Sequence, residues 1–169
     1  MRTALVAELH TLALKNYAFN DPSKYQEIEQ RVNDQQPPFY RGLNAELHLS
    51  ASTVVFRDDQ LLMVKHPYLH QWLLPAGHVE YEEAPSTTAL RELLEETGLT
   101  GVNPILVDIN LINIPANPVK HESAHQHIDC RYWVQPTFQV AETAELSTRW
   151  VSRADAPVEF QHYFELLNT

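Results

Sequence analysis

The 169-residue chain has a single cysteine, Cys130, so no intramolecular disulfide can form. A reducing, cytoplasmic setting is the expectation. No apolar run is long enough to span a bilayer, and Glu8, His10 and Lys15 interrupt the N-terminal residues, which argues against a signal peptide. Basic residues are scarce, 12 Lys and Arg against 22 Asp and Glu, for a net charge of −10. That deficit disfavours a nucleic-acid polymer or an anionic membrane as partner. Small phosphorylated ligands stay open, because bound metal ions reverse the local field. There is no internal repeat, no low-complexity segment and no Gly-x-Ser-x-Gly elbow for a serine nucleophile. The apolar content, 44%, is that of an ordinary globular protein.

What the chain does have is a stretch dense in carboxylates, Gly77 to Leu99, reading GHVEYEEAPSTTALRELLEETGL. Pro85 suits a first helical turn and Gly98 a C-terminal cap, so a helix is predicted between them. The loop before it adds Glu80, Glu82 and Glu83. Residues three and four apart share a helix face, which gathers Glu92, Glu95 and Glu96 on one arc. Leu90, Leu93, Leu94 and Thr97 are expected to turn towards a core. Carboxylates this close repel one another, and a hard divalent cation with oxygen ligands, Mg²⁺ above all, relieves the repulsion. A solvated acidic face is the simpler reading of a glutamate cluster taken alone.

The spacing of the whole stretch favours the metal. Gly77, Glu83, Arg91, Glu92, Leu93, Glu95, Glu96, Gly98 and Leu99 resemble, with no position missing, the signature of the Nudix hydrolase family. The likeness extends over roughly Leu47 to Leu167. Val64–Gly77 and Ile112–Trp133 also resemble a less characterised bacterial group of that family. The resemblance implies an α+β Nudix fold, an α/β/α sandwich around a mixed sheet, and hydrolysis of phosphoanhydride bonds with Mg²⁺, or Mn²⁺ in its place. By resemblance Glu92, Glu95 and Glu96 hold the ions and Gly77 offers its carbonyl. Glu83 supports the site through water or by pairing with Arg91, which would orient the helix. The general base is left open among Glu95, Glu96, Glu142 and Glu145. Ala76 stands where most relatives have the first of two glycines, and its methyl group is expected to tune the loop.

The rest of the chain frames this stretch. Leu5, Leu9 and Leu12 give a helical stripe from about Thr3 to Lys15, and Asp21-Pro22 starts a second helix, Ser23 to about Val32. Gln35-Gln36-Pro37-Pro38 closes it, so residues 1–45 read as a helical N-terminal extension that packs on the domain or on a second copy in a homodimer. Residues 46–169 read as the hydrolase domain. Leu47–Phe56 and Leu61–Lys65 read as strands joined in a hairpin across Asp58-Asp59. Ile105–Ile114 is β-rich and ends at Pro115-Ala116-Asn117-Pro118. His125–Gln135 alternates, with Ile128, Cys130, Tyr132 and Val134 on a core face and His125, His127, Asp129 and Arg131 on the other. Arg149-Trp150-Val151 is strand-like, and Val158–Leu167 reads as a closing helix.

The polar row of His127, Asp129 and Arg131, with His125, is expected to face solvent or a cleft and to contact substrate. Trp72 can stack on a base or join the core. His125, His127 and Asp129 also admit a metal site, though no other histidine spacing demands zinc. The expected reaction is cleavage, by metal-activated water, of the diphosphate linkage in a nucleoside diphosphate derivative. A nucleoside triphosphate sanitising pyrophosphatase is the alternative, and a non-catalytic nucleotide-binding module a third reading, which the intact acidic set disfavours. A proline about sixteen residues past the signature often marks family members selective for ADP-ribose, and Pro115 lies 115 − 99 = 16 beyond Leu99. The tyrosine often found near there in diadenosine-polyphosphate enzymes, and the extra motif of coenzyme A pyrophosphatases, are absent.

Overall fold

The computed structural model describes residues 2–43, 46–116, 123–140 and 144–169, with backbone alone for 138–140. Glu142 and the turn residues Asn117 and Pro118 lie outside the described residues. The architecture is α+β. Helices α1 (Arg2–Ala13), α2 (Pro22–Asn33) and α3 (Pro85–Thr97) and a closing 3-10 helix (Val158–Asn168) surround eight strands. The strands are β1 (Leu47–Val54), β2 (Phe56–Arg57), β3 (Gln60–Lys65), β4 (Trp72–Leu73), β5 (Ala76–His78), β6 (Leu99–Ile114), β7 (His125–Val140) and β8 (Thr148–Val151).

Helices α2 and α3 start at the expected residues, and α3 also ends at its expected one. Asp21 caps α2, its Oδ1 accepting from the Ser23 and Lys24 N–H groups at 3.1 and 3.2 Å. Pro85 opens α3, and Gly98 ends it in the left-handed conformation at φ 72°. The buried face of α3 is Thr88, Ala89, Leu93 and Thr97. Leu94, expected in the core, is 37% exposed, because the arc facing the sheet is narrower than the leucine pattern suggests.

The main sheet is mixed, in the order β5-β1-β7-β6, with β1 and β7 parallel and the other pairs antiparallel. A second, antiparallel sheet is built on β3, which pairs with β2, β4 and β8. The predicted hairpin is therefore short. Only Phe56 and Arg57 pair with β3, whereas Leu47–Val54 belongs to the main sheet. The chain crosses between sheets at Val55.

Two cores result. Leu5, Leu9 and Leu12 of α1, Tyr25, Ile28 and Val32 of α2 and Leu93 of α3 pack with Leu49, Ala51, Ile128, Cys130 and Val134 of the main sheet. The N-terminal helices thus share the core of the sheet they cover. The second core joins Val54, Met63, Leu74 and Val151 to Phe160, Tyr163 and Phe164 of the closing helix. Strand β7 lies between the two, and from Ile128 to Val134 neither of its faces is exposed. Asp129 and Arg131 are only 2% and 7% exposed, so these two members of the polar row face the interior, whereas His127 is part-buried and His125 lines a recess.

Candidate active site

Strand β5, the loop after it and α3 bring the signature residues together. Arg91 is the hub. Its Nε and Nη2 donate to the two oxygens of Glu83, both at 3.0 Å, in the bidentate geometry that suits guanidinium and carboxylate. Nη1 donates to Glu92 at 2.6 Å and to Glu95 at 3.0 Å, and Nη2 also reaches the His78 carbonyl at 3.2 Å. Glu83 further accepts from Thr88 Oγ1 at 2.7 Å and from the Glu80 N–H at 3.2 Å. One residue thereby fastens the acidic loop, strand β5 and the helix edge to each other. The donors from Arg91 hold Glu83 below the usual carboxylate range.

Glu92 and Glu96 are placed differently. Burial pushes the Glu92 carboxyl up, with Arg91 pulling the other way. Burial pushes Glu96 up to about 7; the Ala76 N–H, 3.0 Å from Oε2, opposes this, while the charges of Glu92, Glu145 and Glu95 add to it. So the site holds more negative charge than its one arginine offsets. Gly77 lies directly over it: a β-carbon built there would be 1.9 Å from Glu92 Oε1. Only a glycine leaves the carboxylate its space. Ala76 fits in extended β5 and supplies the N–H to Glu96. These features fit a divalent cation: oxygen donors clustered beside a glycine that leaves them room, with burial disfavouring the charged forms of Glu92 and Glu96.

The loop before β8 closes the C-terminal end of α3, where the Glu145 and Leu146 N–H groups donate to the carbonyls of Glu95 and Glu96 at 3.0 and 3.1 Å. Trp72, on β4, is half-buried, and the Arg149 guanidinium stacks over its ring at 4.2 Å.

The remaining sequence-predicted residues do not join this site. Arg131 Nε donates to Asp129 Oδ2 at 2.9 Å, and Arg131 Nη1 donates to the Tyr163 hydroxyl at 2.8 Å. Asp129 also accepts from Ser50 and Ser52 at 3.1 and 2.7 Å. Tyr163 donates onward to Asp108, which Lys24 and Tyr25 of α2 also engage. The expected substrate contacts Asp129 and Arg131 are instead an internal network tying β7 to β1, the closing helix and α2. His127 belongs to a group of four histidines with His48, His78 and His125. Burial, followed by the neighbouring His78, His125, His48 and Arg41, lowers His127 to about 3, which keeps it neutral. The sequence puts His48 in a strand but His78 in the acidic loop before α3, so neither the short strand β5 nor the cross-strand register that joins the two is readable from it. Pro115 lines a recess of about 570 Å³ with Arg31, Glu46, Asn113, His125 and Gln126.

A family model, the NUDIX domain, matches residues 46–167. The chain belongs to the Nudix family and is a hydrolase acting on phosphoanhydride bonds. It is 48% identical to a "Probable DHNTP pyrophosphohydrolase" of Lactococcus lactis subsp. cremoris (strain MG1363) over 127 residues, 75% of this chain and 76% of the other. A NUDIX-family hydrolase from Clostridium perfringens has a similar structure, with TM-score 0.55 and 21% identity over 75% of this chain and 99% of its own. A UDP-X diphosphatase structure covers 98% of this chain and 90% of its own, with TM-score 0.55 and 15% identity. At those identities the likeness is one of fold. No helix among the described residues is long and apolar enough to cross a membrane.

Proposed function

We propose that the chain is a Mg²⁺-dependent pyrophosphohydrolase, with Mn²⁺ as a substitute, acting on a small nucleotide-type substrate of which DHNTP is the first candidate. The observation that supports the metal dependence is the Gly77–Glu92 relationship, in which the missing side chain leaves room for the Glu92 carboxylate among the acidic residues of α3. The name of the 48%-identical relative supports DHNTP ahead of the nucleoside diphosphate derivatives expected from the sequence. Glu92, Glu95 and Glu96, with the Gly77 carbonyl, would hold the cation, which when bound would supply charge neutralisation on the phosphates and a lowered pKa for water.

The chain's own residues do the rest. Arg91 orients Glu92 and Glu95 and ties down Glu83, whose part is to brace the arginine. Glu96, whose carboxyl burial pushes up to about 7, is our candidate for taking a proton from water, as general base. We retain Trp72 as the stacking residue for the base. We assign His127, Asp129 and Arg131 no substrate contact, because their polar groups are engaged inside the protein. Helices α1 and α2 serve as scaffold, and the whole works in the cytoplasm.

The test is product analysis with purified protein and Mg²⁺ against DHNTP, nucleoside triphosphates and ADP-ribose. Release of pyrophosphate from DHNTP at the highest kcat/KM is expected. Preferential release of a nucleoside monophosphate from ADP-ribose would overturn the substrate assignment while leaving the metal chemistry in place.

A further inference from the structure

We propose a second metal site, of a different chemical kind, in which His48, His78, His125 and His127 bind one zinc-class transition-metal ion. The four residues come from three adjacent strands of the main sheet and from one face of it. His48 of β1 lies opposite His127 of β7, and His125 is two residues along the same face. His78 of β5 pairs with Ser50, two residues from His48 on β1. One ligand nitrogen from each ring lies within 4.8 Å of the others.

The nitrogens meet as ligands do. His127 Nε2 is 3.0 Å from His125 Nε2 and 3.2 Å from His78 Nε2. Zn–N bonds of about 2.0–2.1 Å in a tetrahedron set nitrogens about 3.3 Å apart. A neutral imidazole nitrogen carries either one proton or one lone pair, so His127 Nε2 makes only one good hydrogen bond to its two neighbours. A cation taking a lone pair from each ring satisfies all of them. His125 has the second contact that fixes its tautomer: Nδ1–H donates to the Ser123 carbonyl at 2.8 Å, leaving Nε2 as the ligand. An all-imidazole set suits Zn²⁺, Co²⁺, Ni²⁺ or Cu²⁺, whereas Mg²⁺ demands oxygen. The two sites therefore select different ions, although His78 directly follows Gly77 in the chain. An ion here would fasten β5, and with it the glycine that borders Glu92, to β1 and β7.

Co²⁺ is the probe. Chelator-stripped full-length protein is titrated with Co²⁺ in excess Mg²⁺, and the visible spectrum and thermal midpoint are followed. The expected result is one Co²⁺ per chain with the intense bands of a tetrahedral complex, and a raised midpoint. Losing a ligand should weaken binding at least as much as losing an outer-shell partner, so His125→Ala and His127→Ala should each lower Co²⁺ affinity by about a hundredfold. Glu96→Gln should leave the bands unchanged. Weak octahedral bands that excess Mg²⁺ removes, or bands that vanish in Glu96→Gln, would overturn the proposal. If a histidine variant fails to fold, the wild-type spectrum in excess Mg²⁺ decides by itself.

Discussion

The α-carbon of Gly77 faces the carboxylate of Glu92 so closely that a β-carbon there would come within 1.9 Å of Oε1. The first prediction follows from this. Gly77→Ala should leave the thermal midpoint nearly unchanged, because the obstructed atom is the mobile end of a side chain. Glu92 would have to swing aside, so Mg²⁺ affinity by titration calorimetry should fall. With it kcat/KM should drop at least about tenfold, roughly 1.4 kcal/mol. Wild-type Mg²⁺ affinity in the variant would remove Gly77 from the site.

Asp129→Ala tests the internal network. Asp129 and Arg131 side chains are 3% and 9% exposed, and the substitution leaves the guanidinium without its carboxylate. Breaking a buried pair costs roughly 3–5 kcal/mol, whereas replacing both partners by apolar groups recovers much of that. Urea denaturation should show the loss in Asp129→Ala and a partial recovery in Asp129→Ala with Arg131→Met. A stable single variant with impaired kcat/KM would restore the substrate-contact role expected from the sequence.

Local rules made much of this legible. Pro85 and Gly98 bound α3, Asp21 caps α2, and the pairing of Glu83 with Arg91 is one of the two roles that the family resemblance implies for Glu83. The alternation of β7 also placed Ile128, Cys130, Tyr132 and Val134 in the core. Long-range placement was not legible. Nothing local says that the second sheet and the closing helix cover the other face of β7, and it is that cover which turns Asp129 and Arg131 into interior residues. His48 and His78 join His125 and His127 only through the register of β1 with β5 and β7, which no single strand carries. The break at Val55 likewise depends on the strand having partners in two sheets.

Glu96 gives a pH prediction. Its carboxyl is pushed up to about 7 in the folded protein from an ordinary 4.5. Folding therefore favours the protonated form: that stabilisation is whole below about 4.5 and is lost as pH rises through about 7. Glu96→Gln resembles the protonated form at every pH. In chelator, the variant's thermal midpoint relative to wild type should therefore climb between about pH 4.5 and 8. A pH-independent difference would show that Glu96 is not held in this way.

The central claim is that the carboxylates of α3 act by holding a divalent cation, and the most direct measurement is turnover as a function of Mg²⁺ concentration. Purified wild type and Glu96→Gln are compared on the best substrate of the panel, with and without chelator. Wild-type turnover should saturate with Mg²⁺ and vanish in chelator, and Glu96→Gln should lose at least about a hundredfold in kcat. Undiminished turnover in chelator, or near-normal turnover of Glu96→Gln, would contradict the account.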